Sequence, residues 1–274
     1  MSQHARLTKE ATAVLKETSR TFFIPISFLN GPLKNTVGSA YLCMRAIDEI
    51  EDHPDLPLDV KQHLLSEAAR QLSEPVFDGA AYSALIGPYR GQLPEVAIRL
   101  DDWVSLCPAG IVAEVKRSTA EMARGMAKWA GKNWQIRSKE DLDDYTYYVA
   151  GLVGTMLSDI WRWHDGTETD RKLAIGFGRG LQAVNILRNI GEDAERGVSF
   201  VPDGWTKADL FDYARGNLGL ADAYIKSIRN KRILLFCKVP LKLAHSTLKS
   251  LESGKEKMTR PEVEAAVREV QEET

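Results

Sequence analysis

The sequence predicts an all-α fold. Apolar residues recur at steps of three and four over most of the chain, the spacing of one buried helix face. Helix start and stop signals fall between those stretches. Valine-rich alternating segments, which would read as strands, are absent. Together these predict a single domain over residues 1–274, a bundle of about ten helices, a form that builds ligand sites between facing helices.

Ala5–Thr18 reads as an amphipathic opening helix, with Ser19-Arg20-Thr21-Phe22 at its end. Gly31-Pro32 punctuates, and proline suits a first helical position. From there to Glu51 the pattern stays helical, with Val37, Tyr41, Met44 and Ile47 in step. His53-Pro54 ends it, because a residue before proline avoids the helical region. Leu58–Leu72 is another helix, and residues 73–95 hold only short helical pieces. Ile111–Ala130 and Lys139–Trp163 are the longest uninterrupted patterns, the second opened by Ser138 and Asp141 in a capping-box arrangement. Thr169–Ala194 follows, then a loop at Gly197–Gly204. Leu220–Phe236, Pro240–Leu251 and Arg260–Glu272 complete the pattern. No internal repeat or low-complexity linker is visible.

With 274 residues, 44% apolar and 27% charged, the chain can bury a sizeable core. A net charge of −2 gives no basic footprint, which argues against a nucleic-acid partner. Cys43, Cys107 and Cys237 lack the paired spacing of a zinc or redox motif and read as reduced core thiols. None of the five histidines is paired at metal-ligand spacing, which disfavours zinc. The N-terminal segment has the character of neither a signal nor a transit peptide. No apolar stretch reaches the roughly 18 residues of a membrane span. The expectation is a cytoplasmic protein.

Two acidic clusters are the informative feature. Residues four apart share a helix face, so Asp48 and Asp52 point the same way, as do Asn189 and Asp193. Like carboxylates on one face repel, and a hard cation with oxygen ligands offsets that; Mg²⁺ held by one or two carboxylates plus substrate phosphates fits the spacing. A solvated helix end carrying a charge run is the plainer reading of the first cluster. Tyr41, Arg45, Asp48 and Asp52 nevertheless make one polar stripe through an otherwise apolar helix. In the second region Gln182, Asn185, Asn189 and Asp193 line one face, while Ala183, Val184, Ile186, Leu187 and Ile190 fill the rest. Such a stripe needs partners when buried. It reads either as an amide network that fixes helix register or as a metal and diphosphate face. Ser19, Arg20, Arg45 and Arg188 supply groups that suit phosphate oxygens. Gly151 and Gly154, in the middle of a helical pattern, fit close helix packing and would line a groove for a long apolar ligand. Trp129, Trp134, Trp161 and Trp163 read as core or rim aromatics.

These residues together resemble the squalene/phytoene synthase family of head-to-head prenyl-diphosphate condensing enzymes. The matching strings are Ser19–Phe22 (SRTF), Tyr41–Asp52 (YLCMRAIDEIED), Tyr148–Gly154 (YVAGLVG) and Gln182–Gly197 (QAVNILRNIGEDAERG), with a weaker match at Phe236–Ala244. The resemblance runs in order over roughly residues 15–250. It implies an isoprenoid-synthase helical bundle with a central apolar cavity, and Mg²⁺-dependent joining of two prenyl diphosphates, farnesyl diphosphate foremost, through a cyclopropyl diphosphate. In the squalene branch NADPH then reduces the intermediate. Carried over by position, Asp48, Glu51, Asp52, Asn189 and Asp193 are expected at the metals. Ser19, Arg20, Phe22, Arg45, Gln182, Asn185 and Arg188 are expected at the diphosphates, and Tyr41, Tyr148 and Arg45 in catalysis. Peripheral membrane contact for product release belongs to the same expectation, without a transmembrane segment.

One departure stands out. The family's second motif opens with aspartate where this chain has Asn189, so metal affinity there should fall, with Glu192 placed to compensate. Two alternatives stay open: a phytoene or dehydrosqualene synthase, or another diphosphate-ionising enzyme, that needs no NADPH; and a family member without metal chemistry that serves in assembly or lipid binding.

Overall fold

The computed structural model describes residues 3–19, 22–195, 197–255 and 257–274. Among them are fourteen α-helices and no strand, as the periodicity requires. Contacts divide the chain into two compact units, Met1–Asn133 and Trp134–Thr274.

The first unit contains α1 (Gln3–Thr18), α2 (Phe23–Phe28), α3 (Gly31–Glu51), α4 (Leu58–Ser73), α5 (Gly79–Ile86), a 3₁₀ turn (Gly87–Tyr89), α6 (Glu95–Ile98), α7 (Leu100–Leu106) and α8 (Val112–Gly131). The central element is α3, which packs on α1, α4, α6, α7 and α8. Its buried face repeats at helical steps through Leu33, Val37, Ala40, Met44, Ile47 and Ile50. Each large side chain there contributes roughly 1.5–3 kcal/mol on leaving water. Cys43, Cys107 and Cys237 are free and buried, as expected of core thiols. Two lysines are also buried, Lys61 and Lys116. The ammonium of Lys116 donates to the carbonyls of Glu74 at 2.6 Å and Pro75 at 2.9 Å. It thereby satisfies the carbonyl of the α4 cap residue and that of the residue after it.

The second unit contains α9 (Lys139–Thr146), a π turn (Tyr147–Gly151), α10 (Leu152–Asp165), α11 (Arg171–Glu195), α12 (Lys207–Ile225), α13 (Lys231–Glu252) and α14 (Arg260–Glu272). Ser138 and Asp141 form the expected capping box. The stretch Lys139–Trp163 is not one uninterrupted helix, because a wide turn separates α9 from α10. In that turn Tyr147 and Tyr148 are both half-buried, their rings 5.3 Å apart. Directly beside it the backbone of α11 comes very close. A Cβ on Gly178 would sit 2.1 Å from the Ala150 carbonyl oxygen, and one on Gly154 would sit 2.1 Å from that of Ala174. Only glycine allows this approach.

The boundary expected between Phe236 and Pro240 is also corrected. The chain breaks earlier, between Ile225 and Lys231, and α13 runs through Pro240. Asn230 explains the break: its side-chain oxygen accepts from the main-chain N–H groups of Arg232 and Ile233, starting a helix there. An interior proline costs about 3 kcal/mol, here offset by burial of Phe236, Cys237, Val239, Pro240 and Leu241. The first half of α12 escaped the periodicity because exposed Gly216 and Gly219 weaken the helical signal. The capping box of Thr206 and Asp209 is the local signal that marks its start.

Candidate active site

In the first unit the polar stripe is real. Tyr41, Arg45 and Asp48 are half-buried on α3, while Glu51 is buried and Asp52 exposed. Asp52 also caps the helix, its N–H bonded to the Asp48 carbonyl at 2.9 Å. The guanidinium of Arg45 bridges Asp48 and Glu49, and its buried Nε has no hydrogen-bond partner. Burial and the Asp52 charge push the Asp48 acid up to about 7, against the opposing pull of Arg45. Burial likewise pushes the Tyr41 phenol up to about 12, so it stays a neutral donor.

The structure brings the end of α1 to this stripe. The rings of Phe22 and Tyr41 lie 6.1 Å apart, and the Tyr41 hydroxyl approaches the Thr18 carbonyl at 3.5 Å. Ser19 is buried, its hydroxyl donating to the Leu15 carbonyl at 2.5 Å. Arg20, assigned to diphosphate binding by resemblance, lies outside the described residues.

The second unit carries the amide stripe on α11. Gln182, Asn185 and Asn189 are half-buried, Arg188 is exposed, and Asp193 is buried. The Nε of Arg188 donates to Asn189 Oδ1 at 3.2 Å. Glu192 is exposed and pairs with Lys257 at 3.1 Å. Tyr148 stands in the π turn that packs against α11, a feature frequent at functional sites.

Asp48 and Glu51 lie in the final turn of α3 and Asp193 in the final turn of α11, and neither turn contains a basic residue. The helix macrodipole is negative there, so carboxylates are unfavourable and cations favourable. Hard oxygen donors at a negative helix end fit Mg²⁺. Among the described residues, no three His, Cys, Asp or Glu side chains group into a cage able to hold a metal alone.

Two residues near these faces were missed in the sequence. Arg179 stands one turn before Gln182 and donates to the Asp143 carbonyl at 2.6 Å; the same three-residue step could have found it. Lys61 donates from α4 to the Glu51 carbonyl at 2.6 Å, and only tertiary packing reveals it.

The chain is all-α, with an acidic helix end in each unit. A model of the squalene/phytoene synthase family matches residues 15–210, and the chain belongs to that family. The Botryococcus squalene synthase of Botryococcus braunii is 33% identical over 186 residues, covering 66% of this chain and 38% of that protein. The squalene synthase of Homo sapiens is 28% identical over 262 residues, covering 85% of this chain and 61% of that protein. The chain therefore spans between 38% and 61% of the length of these curated relatives. Among solved structures, TcSQS in complex with a ligand matches with a TM-score of 0.77 at 23% identity, over 96% of this chain and 85% of that one. A dehydrosqualene synthase in complex with a ligand matches with a TM-score of 0.68 at 19% identity, over 99% and 97%. These two share the all-α fold.

Proposed function

We propose that the chain is a Mg²⁺-dependent prenyltransferase that joins two prenyl diphosphates, farnesyl diphosphate foremost, head to head through a cyclopropyl diphosphate to squalene. The observation that carries this reading is the placement of two carboxylate groups, one per unit, at base-free helix C-termini. Each can accept a Mg²⁺-diphosphate, with Asp48, Asp52 and the supporting Glu51 holding metal on α3 and Asn189 and Asp193 on α11. When bound, the ions would neutralise charge developing on a departing diphosphate.

The chain's own residues do the rest. Arg45 fixes the Asp48 carboxylate and contributes positive charge where the diphosphate departs. Ser19, Arg20, Phe22, Gln182, Asn185 and Arg188 orient the substrates. Tyr41, held neutral by burial, offers a phenol face to an allylic cation, and Tyr148 moves or holds a proton near the reacting carbons. The chemistry requires that water be kept from quenching the cation. An apolar product would leave through peripheral contact with a membrane. No helix among the described residues is long and apolar enough to cross one.

Incubation with labelled farnesyl diphosphate and Mg²⁺, with and without NADPH, tests the reading. Squalene only with NADPH is the expected product. Dehydrosqualene or phytoene-type product without NADPH would move the chain to the proton-loss branch. No turnover at any Mg²⁺ concentration would overturn the enzyme reading. Asn189 favours that last outcome more than any other residue, since an amide oxygen ligates without charge. A non-catalytic member would stay inert after Asn189→Asp.

A further inference from the structure

Lys61 stands in the first turn of α4, where a cation opposes that helix's own dipole, and its side chain is buried. Removing an ammonium from water costs several kcal/mol unless its surroundings are strongly negative. The end of α3 is such a place. Asp48, Glu49 and Glu51 lie in or beside the last turn, Asp52 caps it, and the turn has no base of its own. The Lys61 ammonium reaches the Glu51 main-chain carbonyl at 2.6 Å, one of the carbonyls a helix end leaves unpaired. Glu51 has the most buried side chain of the cluster, only 4% exposed. A neighbouring helix thus supplies, at a fixed point, the cation that α3 lacks.

We propose that Lys61 is a positioning residue: it locks the last turn of α3 so that Asp48 and Asp52 present a preset face to a Mg²⁺-diphosphate. The metal side of this inference rests on the function proposed above, but the locking of α3 does not. The contact that fixes the lysine to this turn is with the main chain, at the Glu51 carbonyl. Outer-shell groups that orient metal ligands typically change metal affinity about 10–100-fold when removed.

The test uses the full chain and two measurements. Hydrogen exchange in metal-free protein reads the amides of residues 49–52, and thermal shift reads binding of Mg²⁺ with inorganic diphosphate. In Lys61→Met, amide protection at the end of α3 should fall while residues 37–44 keep theirs, and the Mg²⁺ concentration giving half the thermal shift should rise about tenfold. Lys61→Arg, which keeps a cation, should recover at least half of both effects. Unchanged protection at residues 49–52 in Lys61→Met overturns the positioning role. Lost protection with an unchanged Mg²⁺ requirement also overturns it, leaving only a structural cap. Lost protection in a protein whose wild type shows no Mg²⁺-diphosphate shift sinks the function proposal and leaves the locking of α3 standing. If Lys61→Met does not fold, Lys61→Arg decides: native protection with a Mg²⁺ requirement within threefold of wild type supports the proposal, and native protection with a larger rise overturns it.

Discussion

At Asp48, burial and the adjacent Asp52 charge push the acid up to about 7 despite Arg45, so the ionised form is a net cost to the metal-free fold. A carboxyl raised in the folded state brings no penalty below its unfolded value near 3.9 and the full penalty above about 7. Asp48→Asn should therefore stabilise metal-free protein at pH 8 by roughly 1 kcal/mol, or about 2–4 °C, the value discounted because the side chain is partly solvated. The gain should vanish at pH 4. If Asp48 holds Mg²⁺ as proposed, the same variant should lose on the order of 10²-fold or more in turnover through loss of the ion's charge stabilisation. Thermal melts at the two pH values and a turnover assay check both halves, and a variant less stable than wild type at pH 8 would contradict the charge argument. At Asn189 the expectation reverses. Asn189→Asp adds a charge near the end of α11 and should lower the Mg²⁺ concentration for half-maximal activity by about 10-fold. Tyr148→Phe should slow product formation without changing the Mg²⁺ requirement, because the role proposed for its phenol is proton handling and not metal binding. An unaltered rate would remove it from the chemistry.

Among the elements, the glycines of the second unit separate two kinds of helix contact. Gly154→Ala and Gly178→Ala each drive a methyl to 2.1 Å from a main-chain oxygen, and backbone has little room to yield. Each should cost at least about 2 kcal/mol through overpacking. Gly216→Ala and Gly219→Ala place a methyl in open space on exposed turns of α12 and should gain roughly 0.5–1 kcal/mol each from helix propensity. Urea midpoints of the four variants test the contrast; equal effects would mean that the close approach of α10 and α11 is wrong. The same contacts explain what could be read from the sequence. Periodicity and caps made α3, α4, α8, α11 and α14 legible to within a few residues, because amphipathic spacing and Pro or capping-box signals are local. The π turn was not, since a wide turn depends on α11 pressing on Gly151 and Gly154 from outside the segment. The break before α13 was missed because Pro240 is a strong local stop that buried packing overrides, while Asn230 is a quiet start. For the site, the two acidic faces and the amide stripe were visible as helical spacing. Lys61 was not, because nothing near it in the chain says that its ammonium will meet the Glu51 carbonyl ten residues back.

Over the whole molecule, 38 acidic residues face 36 basic ones, so stability against acid turns on how the carboxylates are held rather than on net charge. Several are held below the usual carboxylate range. For Asp143 burial alone would raise the acid, but hydrogen bonds from Lys139 and Tyr213 outweigh it, with the Arg179 charge adding to their effect. Asp209 is lowered by Thr206, and Glu262 by Thr259, each inside a capping box. A carboxyl depressed in the folded state adds stability that is complete above its unfolded value and is lost as pH falls through its folded one. With unfolded values of about 3.9 for Asp and 4.3 for Glu, these groups support the fold at neutral pH and release it below about pH 4. Asp143 is the best single probe, because it ties α9 to α12 through Tyr213 and lies beside Arg179 of α11. Asp143→Asn should lower the urea midpoint at pH 6, by a loss on the order of 1 kcal/mol for a partly exposed group. At pH 3, where the wild-type acid is losing its charge, the difference should shrink toward zero. A deficit of equal size at both pH values would mean that Asp143 acts through its shape and neutral hydrogen bonds, and that the acid limb of the stability curve is set by other carboxylates.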